Sequence, residues 1–247
     1  MPLEAALCTA LGVLLAPLVS IIVDRAVERE PLVAELRCPR CSRTLARRAL
    51  VPVFGLGERC SEGHRHWRYP AVTSAMAATY AVAGYRFGFT WQLWPYLVLF
   101  AALVAMSIID IETKLLVNII TYPTLAGFLF AVLALSSPNG YSDGIAPALW
   151  AGGLYFLFFL VVHVVYPAGM GLGDVKLAPS LGLGVGWLFT ETTAAVERMM
   201  VAVILGLLLG GVIGIIVQRS RKAEVPFGPF MVLGTIIVIA GTVPASL

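Results

Sequence analysis

The stretch QLWPYLVLFAALVAMSII, residues 92–109, contains no charged residue, and it is followed at once by Asp110-Ile-Glu-Thr-Lys114. Crossing the hydrocarbon core of a bilayer takes about 20 mainly apolar residues in a helix, so 92–109 reads as a membrane span that ends on an acid. Seven further stretches read the same way, near 3–23, 70–88, 117–136, 147–166, 175–190, 199–218 and 227–246. The span at 175–190 is the weakest of the eight, being short and rich in glycine.

Composition agrees with that reading. Of the 247 residues, 59% are hydrophobic and 13% charged, and the mean hydropathy is +0.89. Soluble domains are nearer half apolar and a quarter charged. The expected fold is therefore all-α and polytopic, with about eight transmembrane helices in a lipid bilayer. The first span has Glu4 as its only early charge and is followed by no small-residue cleavage site, so it is expected to be retained rather than removed as a signal peptide.

Charge placement orients the chain. Of the 17 Lys and Arg residues, ten lie between Arg25 and Arg68, in the one long polar segment. The positive-inside rule puts that segment in the cytoplasm. Threading eight spans from it places Lys114, Lys176, Arg219, Arg221 and Lys222 on the same side and leaves only Arg86 and Arg198 outside. Three parts follow: a first transmembrane helix over 1–23, a cytoplasmic loop domain over 24–68, and a helical membrane domain over 69–247.

A segment as short as 24–68 needs a staple to fold by itself. Cys38-Pro-Arg-Cys41 is followed by Cys60-Ser-Glu-Gly-His64. A Cys-x2-Cys pair with a later Cys-x3-His offers four N and S donors, which suits tetrahedral Zn²⁺. The neighbouring Arg37, Arg40, Arg43 and Arg59 favour the thiolates that bind metal. A disulfide is the competing reading, and a reducing cytoplasm disfavours it. His66 could stand in for His64, and the lone Cys8 is expected to be packing. The arginines read as topology and lipid-headgroup contacts; no nucleic acid is expected as a partner, because no binding module accompanies them.

Carboxylates near a membrane are expensive and call for an explanation. Asp110 sits where the third span meets the cytoplasmic face. Asp174 closes Gly171-Leu-Gly173-Asp174-Val-Lys176, at the cytoplasmic start of the sixth. The charge-derived topology thus puts both acids at one depth on one side. Two carboxylates in a partly dry site share a proton, one serving as base and the other as acid, which is the arrangement of an aspartyl protease. Gly171 and Gly173 lack Cβ and would let the backbone lie close to an extended substrate. Lys176 would snorkel or neutralise nearby charge. The bland reading has Asp174 capping its helix and Asp110 pairing with Lys114. Asp143 falls on the outward side. A proton- or cation-coupled transporter is the rival class; it would place acids nearer the middle of spans and show paired repeats, and the sequence has neither.

Gly171-Leu-Gly173-Asp174 resembles the Gly-x-Gly-Asp signature of intramembrane aspartyl proteases, especially the type IV prepilin peptidases. Other marks resemble that family in the same order along the chain: Cys38-Pro-Arg-Cys41 after the first span, Arg68-Tyr69-Pro70 opening the second, Asp110 ending the third, and Pro226-Phe227-Gly228-Pro229-Phe230 opening the last. The resemblance implies that Asp110 and Asp174 are the catalytic pair of a prokaryotic inner-membrane enzyme. It implies type IV prepilins or pseudopilins as substrates, cut between leader and hydrophobic helix at the cytoplasmic face. It also implies methylation of the new N-terminus by S-adenosylmethionine. Four features depart from the family pattern: Ala16-Pro-Leu-Val-Ser20 lacks its Asn, Arg68-Tyr-Pro-Ala-Val-Thr73 lacks its Glu, Leu116-Val117-Asn118 lacks its Pro, and His64 stands near the place of the family's fourth cysteine. The first two lie in the half associated with methyl transfer, so methylation has less support than proteolysis.

Overall fold

A computed structural model describes residues 2–28, 68–114, 116–167, 170–217 and 226–242. Among these residues the secondary structure is helical, with no strand. The described residues form eight α-helices: α1 (Pro2–Glu28), α2 (Arg68–Phe87), α3 (Leu93–Thr113), α4 (Asn118–Ser136), α5 (Ile145–Val165), α6 (Leu172–Gly186), α7 (Thr192–Val217) and α8 (Gly228–Gly241). A short 3₁₀ turn, Ser142–Gly144, precedes α5.

Each expected apolar stretch coincides over most of its length with a helix among the described residues. Five regions are long and apolar enough to cross a membrane by length and composition: Leu3–Ala26, Leu93–Thr113, Asn118–Ser136, Ser142–Val165 and Thr192–Ile213. α6 and α8 are shorter, at 15 and 14 residues, and α2 carries more polar side chains. Several boundaries differ from expectation, among them the end of α6 at Gly186, four residues short of 190. α1 continues to Glu28, so Asp24 and Arg25 are helical. α7 begins at Thr192, which puts Glu197 and Arg198 inside the helix.

The residues facing outward confirm the membrane reading. Leu14 is 75% exposed, Phe130 70% and Val165 77%. Soluble monomers rarely expose apolar patches beyond a few hundred Å². In α1 the pattern is inverted relative to a soluble helix: Leu7, Leu14 and Leu18 face out, while Cys8, Ala16, Ser20 and Asp24 are buried. Where lipid replaces water, small and polar residues belong between helices and large apolar ones outside.

The chain divides into two compact units, Met1–Ile108 and Ile109–Leu247. In the first, α1 and α2 run antiparallel at close range. A Cβ placed on Gly12 would lie 2.7 Å from the Met76 carbonyl oxygen, and one on Gly84 would lie 2.7 Å from that of Glu4. Cys8 packs in this seam and is buried. Thr73 and Thr79 return their hydroxyls to the carbonyls of Tyr69 and Ala75, which satisfies them within their own helix.

In the second unit α6 is the central element, packed against α4, α5, α7 and α8. Nearly every residue from Asp174 to Gly186 is buried. A Cβ on Gly182 would fall 2.4 Å from the Ala151 carbonyl oxygen, and one on Gly186 would fall 2.6 Å from that of Pro147. Its weak hydropathy now has a reason: a helix surrounded by helices needs small residues, and it meets little lipid. At its far end Trp187 Nε1 donates to Ser136 Oγ over 2.8 Å, and its ring meets Phe128 edge-on.

Candidate functional site

Asp110 lies in the last turn of α3. The helix closes at Lys114, whose φ of 54° is left-handed and whose N–H donates to the Asp110 carbonyl over 2.8 Å. This is an αL termination with lysine in place of the usual glycine. Asp174 lies in the first turn of α6. Gly171 is the N-cap, extended at φ −72° and ψ 147° and without a side-chain cap, and the Asp174 N–H donates to its carbonyl over 3.2 Å. The capping role open to Asp174 in the sequence therefore falls to Gly171, and the Asp174 carboxylate is not occupied as an N-cap.

The two acids meet at the start of α8. The Gly228 N–H donates to Asp110 Oδ2 over 3.1 Å. A Cβ on Gly228 would lie 2.8 Å from Asp110 Oδ2 and 3.6 Å from Asp174 Oδ1. Both carboxylates therefore lie beside one glycine, where a Cβ would crowd Asp110 Oδ2 and make ordinary contact with Asp174 Oδ1. Asp110 is 5% exposed and Asp174 7%. Asp174 lies ahead of the sixth span; burial, and then the charge of Asp110, push its carboxyl well above the usual carboxylate range, and a backbone hydrogen bond from Gly171 opposes them. Two coupled carboxyls of this kind titrate as a unit, one losing its proton at higher pH than the other. The pair can take a proton from water at one oxygen and give a hydrogen bond to a carbonyl at another.

Local sequence explains how Gly228 gets there. Pro229, in the first turn of α8, has no N–H to leave unsatisfied. Phe227 wedges the start of the helix in place. Its ring centroid is 6.0 Å from that of Phe159 on α5, and a Cβ on Gly210 of α7 would touch it at 2.8 Å. The Pro-Phe-Gly-Pro run was visible in the sequence as a mark of resemblance; its contact with the carboxylates was not.

The remaining expected site residues divide. A Cβ on Gly173 would lie 2.9 Å from Leu116 Cβ, so this glycine admits the α3–α4 connection against α6. Gly171 has a backbone conformation open to any residue, and a Cβ there would make ordinary contacts at 3.9 Å with Asp174 Oδ2 and the Gly173 nitrogen. Lys176 Nζ donates to Asn118 Oδ1 over 3.0 Å and sits 5.6 Å from the Tyr122 ring centroid, which ties α6 to α4. Asp143 lies in the turn before α5, about 30 Å of helix from the end of α5 that leads to Asp174. Cys38, Cys41, Cys60 and His64 lie outside the described residues. Among the described residues no group of three or more His, Cys, Asp or Glu side chains is arranged to hold a metal ion.

Two contacts had no signal in the sequence. In the first unit, Asp24 near the end of α1 pairs with Arg68 at the start of α2 and accepts a 3.2 Å hydrogen bond from the Tyr69 hydroxyl. All three residues are buried. In the second unit, His163 Nδ1 meets the Met170 carbonyl at 2.8 Å.

Comparison with known proteins gives this geometry a family. Residues 97–215, which include both aspartates, match the family model described as type IV leader peptidase family. A protein of Pseudomonas aeruginosa named prepilin leader peptidase/N-methyltransferase is 30% identical over 268 residues, covering 94% of this chain and 89% of the relative. One of the same name from Bacillus subtilis is 32% identical, covering 81% and 79%. A third, from Stutzerimonas stutzeri, is 29% identical over 80% and 68%. No solved structure matches the chain significantly. With relatives of this identity aligned over most of both chains, the protein belongs to the type IV leader peptidase family.

Proposed function

We propose that this chain is a membrane aspartyl endopeptidase that removes the leader peptides of type IV prepilin-like proteins, with Asp110 and Asp174 as the catalytic pair. The observation that carries the reading is the convergence of the two buried carboxylates on Gly228. The ionised member takes a proton from water as that water attacks the scissile carbonyl; the protonated member hydrogen-bonds the carbonyl oxygen and then returns the proton to the leaving amine. Both acids lie at helix ends rather than mid-span, which suits a substrate cut beside its hydrophobic helix better than an ion path through the bilayer.

The cytoplasmic orientation is supported by the Lys and Arg distribution, with Lys114 and Lys176 close in sequence to the two acids. The relatives are also named for N-methylation. Methyl transfer from S-adenosylmethionine to the new N-terminus is part of the proposal, with narrower support, because the changes at Ala16–Ser20 and Thr73 fall in the half that the family associates with it. Zinc held by Cys38, Cys41, Cys60 and His64 is supported by their spacing.

The test is incubation of the purified protein with a prepilin in detergent or liposomes, comparing wild type with Asp110→Asn and Asp174→Asn. Cleavage by wild type and loss in both variants is expected; undiminished cleavage in either variant would overturn the dyad. Mass analysis of the product N-terminus, with and without S-adenosylmethionine, reports methylation separately.

A further inference from the structure

Asp174 must be held to within a fraction of an ångström to share a proton with Asp110, yet the start of its helix has no side-chain cap. Gly171, at the N-cap, has no side chain of its own to cap the helix, and the Asp174 N–H relies on the Gly171 carbonyl. The residue before it, Met170, is 8% exposed, and its carbonyl is engaged by His163 in the last turn of α5 at 2.8 Å. A carbonyl oxygen only accepts, so Nδ1 carries the hydrogen and donates.

We propose that His163 is a positioning residue for the peptidase reaction, anchoring the backbone that leads into α6 so that Asp174 meets Asp110. The inference rests on the peptidase reading above. The far half of α6 is locked to the start of α5 by backbone-close contacts at Gly182 and Gly186; nearer the carboxylate, Gly173 packs on Leu116 and Lys176 bonds Asn118, and the His163 hydrogen bond ties the backbone entering α6 to the end of α5. The bond uses Nδ1–H, which both the neutral Nδ1–H tautomer and the doubly protonated ring possess. The anchor therefore holds whether or not Nε2 is protonated, and it is not a pH switch.

The test compares His163→Leu with His163→Asn in the full-length protein. The Asn side-chain NH₂ sits where Nδ1 sits in histidine and can donate to the same carbonyl; Leu cannot. His163→Leu is expected to lower kcat roughly ten- to hundredfold, the scale of an ångström's misplacement, with KM unchanged and the same loss at every pH. His163→Asn should restore most of the rate. Hydrogen exchange at the amides of residues 171–174 should be faster in His163→Leu and unchanged in His163→Asn. Wild-type turnover in His163→Leu would overturn the proposal. So would an Asn variant as inactive as the Leu variant, since that would mean the imidazole itself reacts. Should wild type cleave no prepilin, the peptidase reading falls by itself; the exchange measurement still decides the anchor, with unchanged protection at 171–174 in His163→Leu counting against it.

Discussion

The backbone N–H of Gly228 donates to Oδ2 of Asp110 over 3.1 Å, joining the first turn of α8 to the last turn of α3 across 118 residues of sequence. Oδ1 of Asp174 lies beside the same glycine. A backbone donor is a fixed support for a carboxylate, because it loses no rotamer freedom when it binds. Three separate helix ends are thus brought to one point inside the second unit, and each can be tested.

Replacing either acid by its amide keeps size and shape and removes the shared proton. Asp110→Asn and Asp174→Asn should each lower cleavage by about 10³-fold, within the range for a positioned acid or base, while melting in detergent stays near wild type. A large loss of thermal stability would point to a structural role for the carboxylates instead.

Gly228→Ala should disrupt the pair sterically, since its Cβ would lie 2.8 Å from Asp110 Oδ2. We expect kcat to fall roughly 10²-fold through misplacement of the carboxylate. Gly127→Ala is the control: a Cβ there meets nothing within 4 Å, and its activity should match wild type.

The pH profile follows from the raised carboxyl of Asp174. A raised acid keeps its proton above the ordinary carboxylate value of about 4, so the pair remains singly protonated there. As pH climbs through the raised value the last proton leaves, the hydrogen-bond donor to the carbonyl is lost, and kcat/KM falls. The alkaline limb, measured with a substrate that does not titrate in that range, should therefore lie well above pH 4. An alkaline limb at the ordinary carboxylate value would contradict this environment for Asp174.

Asp24 and Arg68 are a buried ion pair bridging α1 and α2. Removing one partner strands the other charge, at a cost of about 3–5 kcal/mol, whereas replacing both by apolar residues is often neutral. Asp24→Leu and Arg68→Met should each lower the melting temperature markedly, and the double variant should recover most of it. Additive losses in the double variant would show that the two side chains do not act as a pair.

Purified protein is expected to carry one zinc per chain by elemental analysis, falling toward zero in Cys38→Ser and Cys60→Ser, because thiolates dominate such a site. Full metal content in either variant would remove that cysteine from the ligand set.

The helices and their environment were legible in the residues themselves. A run such as 92–109 is apolar enough to demand lipid or a protein interior, and its helical backbone satisfies its own hydrogen bonds. The Lys and Arg bias placed the last turn of α3, with Asp110, and the first turn of α6, with Asp174, on one side, and in the structure the two acids do meet. Hydropathy served poorly at α6, because a central helix lined with glycine and alanine is chosen for close approach rather than for solubility in lipid. The competing reading of Asp174 as an N-cap could not be settled by residue type; in the structure the chain turns into the helix at Gly171.

By itself, then, the sequence determined a multi-pass helical membrane protein with two acids at one level, because hydropathy and charge act locally, along each span. Only the tertiary structure decided that Gly228 lies against both carboxylates, that Asp24 closes on Arg68, and that His163 holds Met170. Each of these pairs helix ends or neighbouring loops through side-by-side packing, and which helices pack together is set by where small residues such as Gly12, Gly182 and Gly234 allow backbones to touch. Such contacts depend on all the helices at once, and no single stretch of the chain contains them.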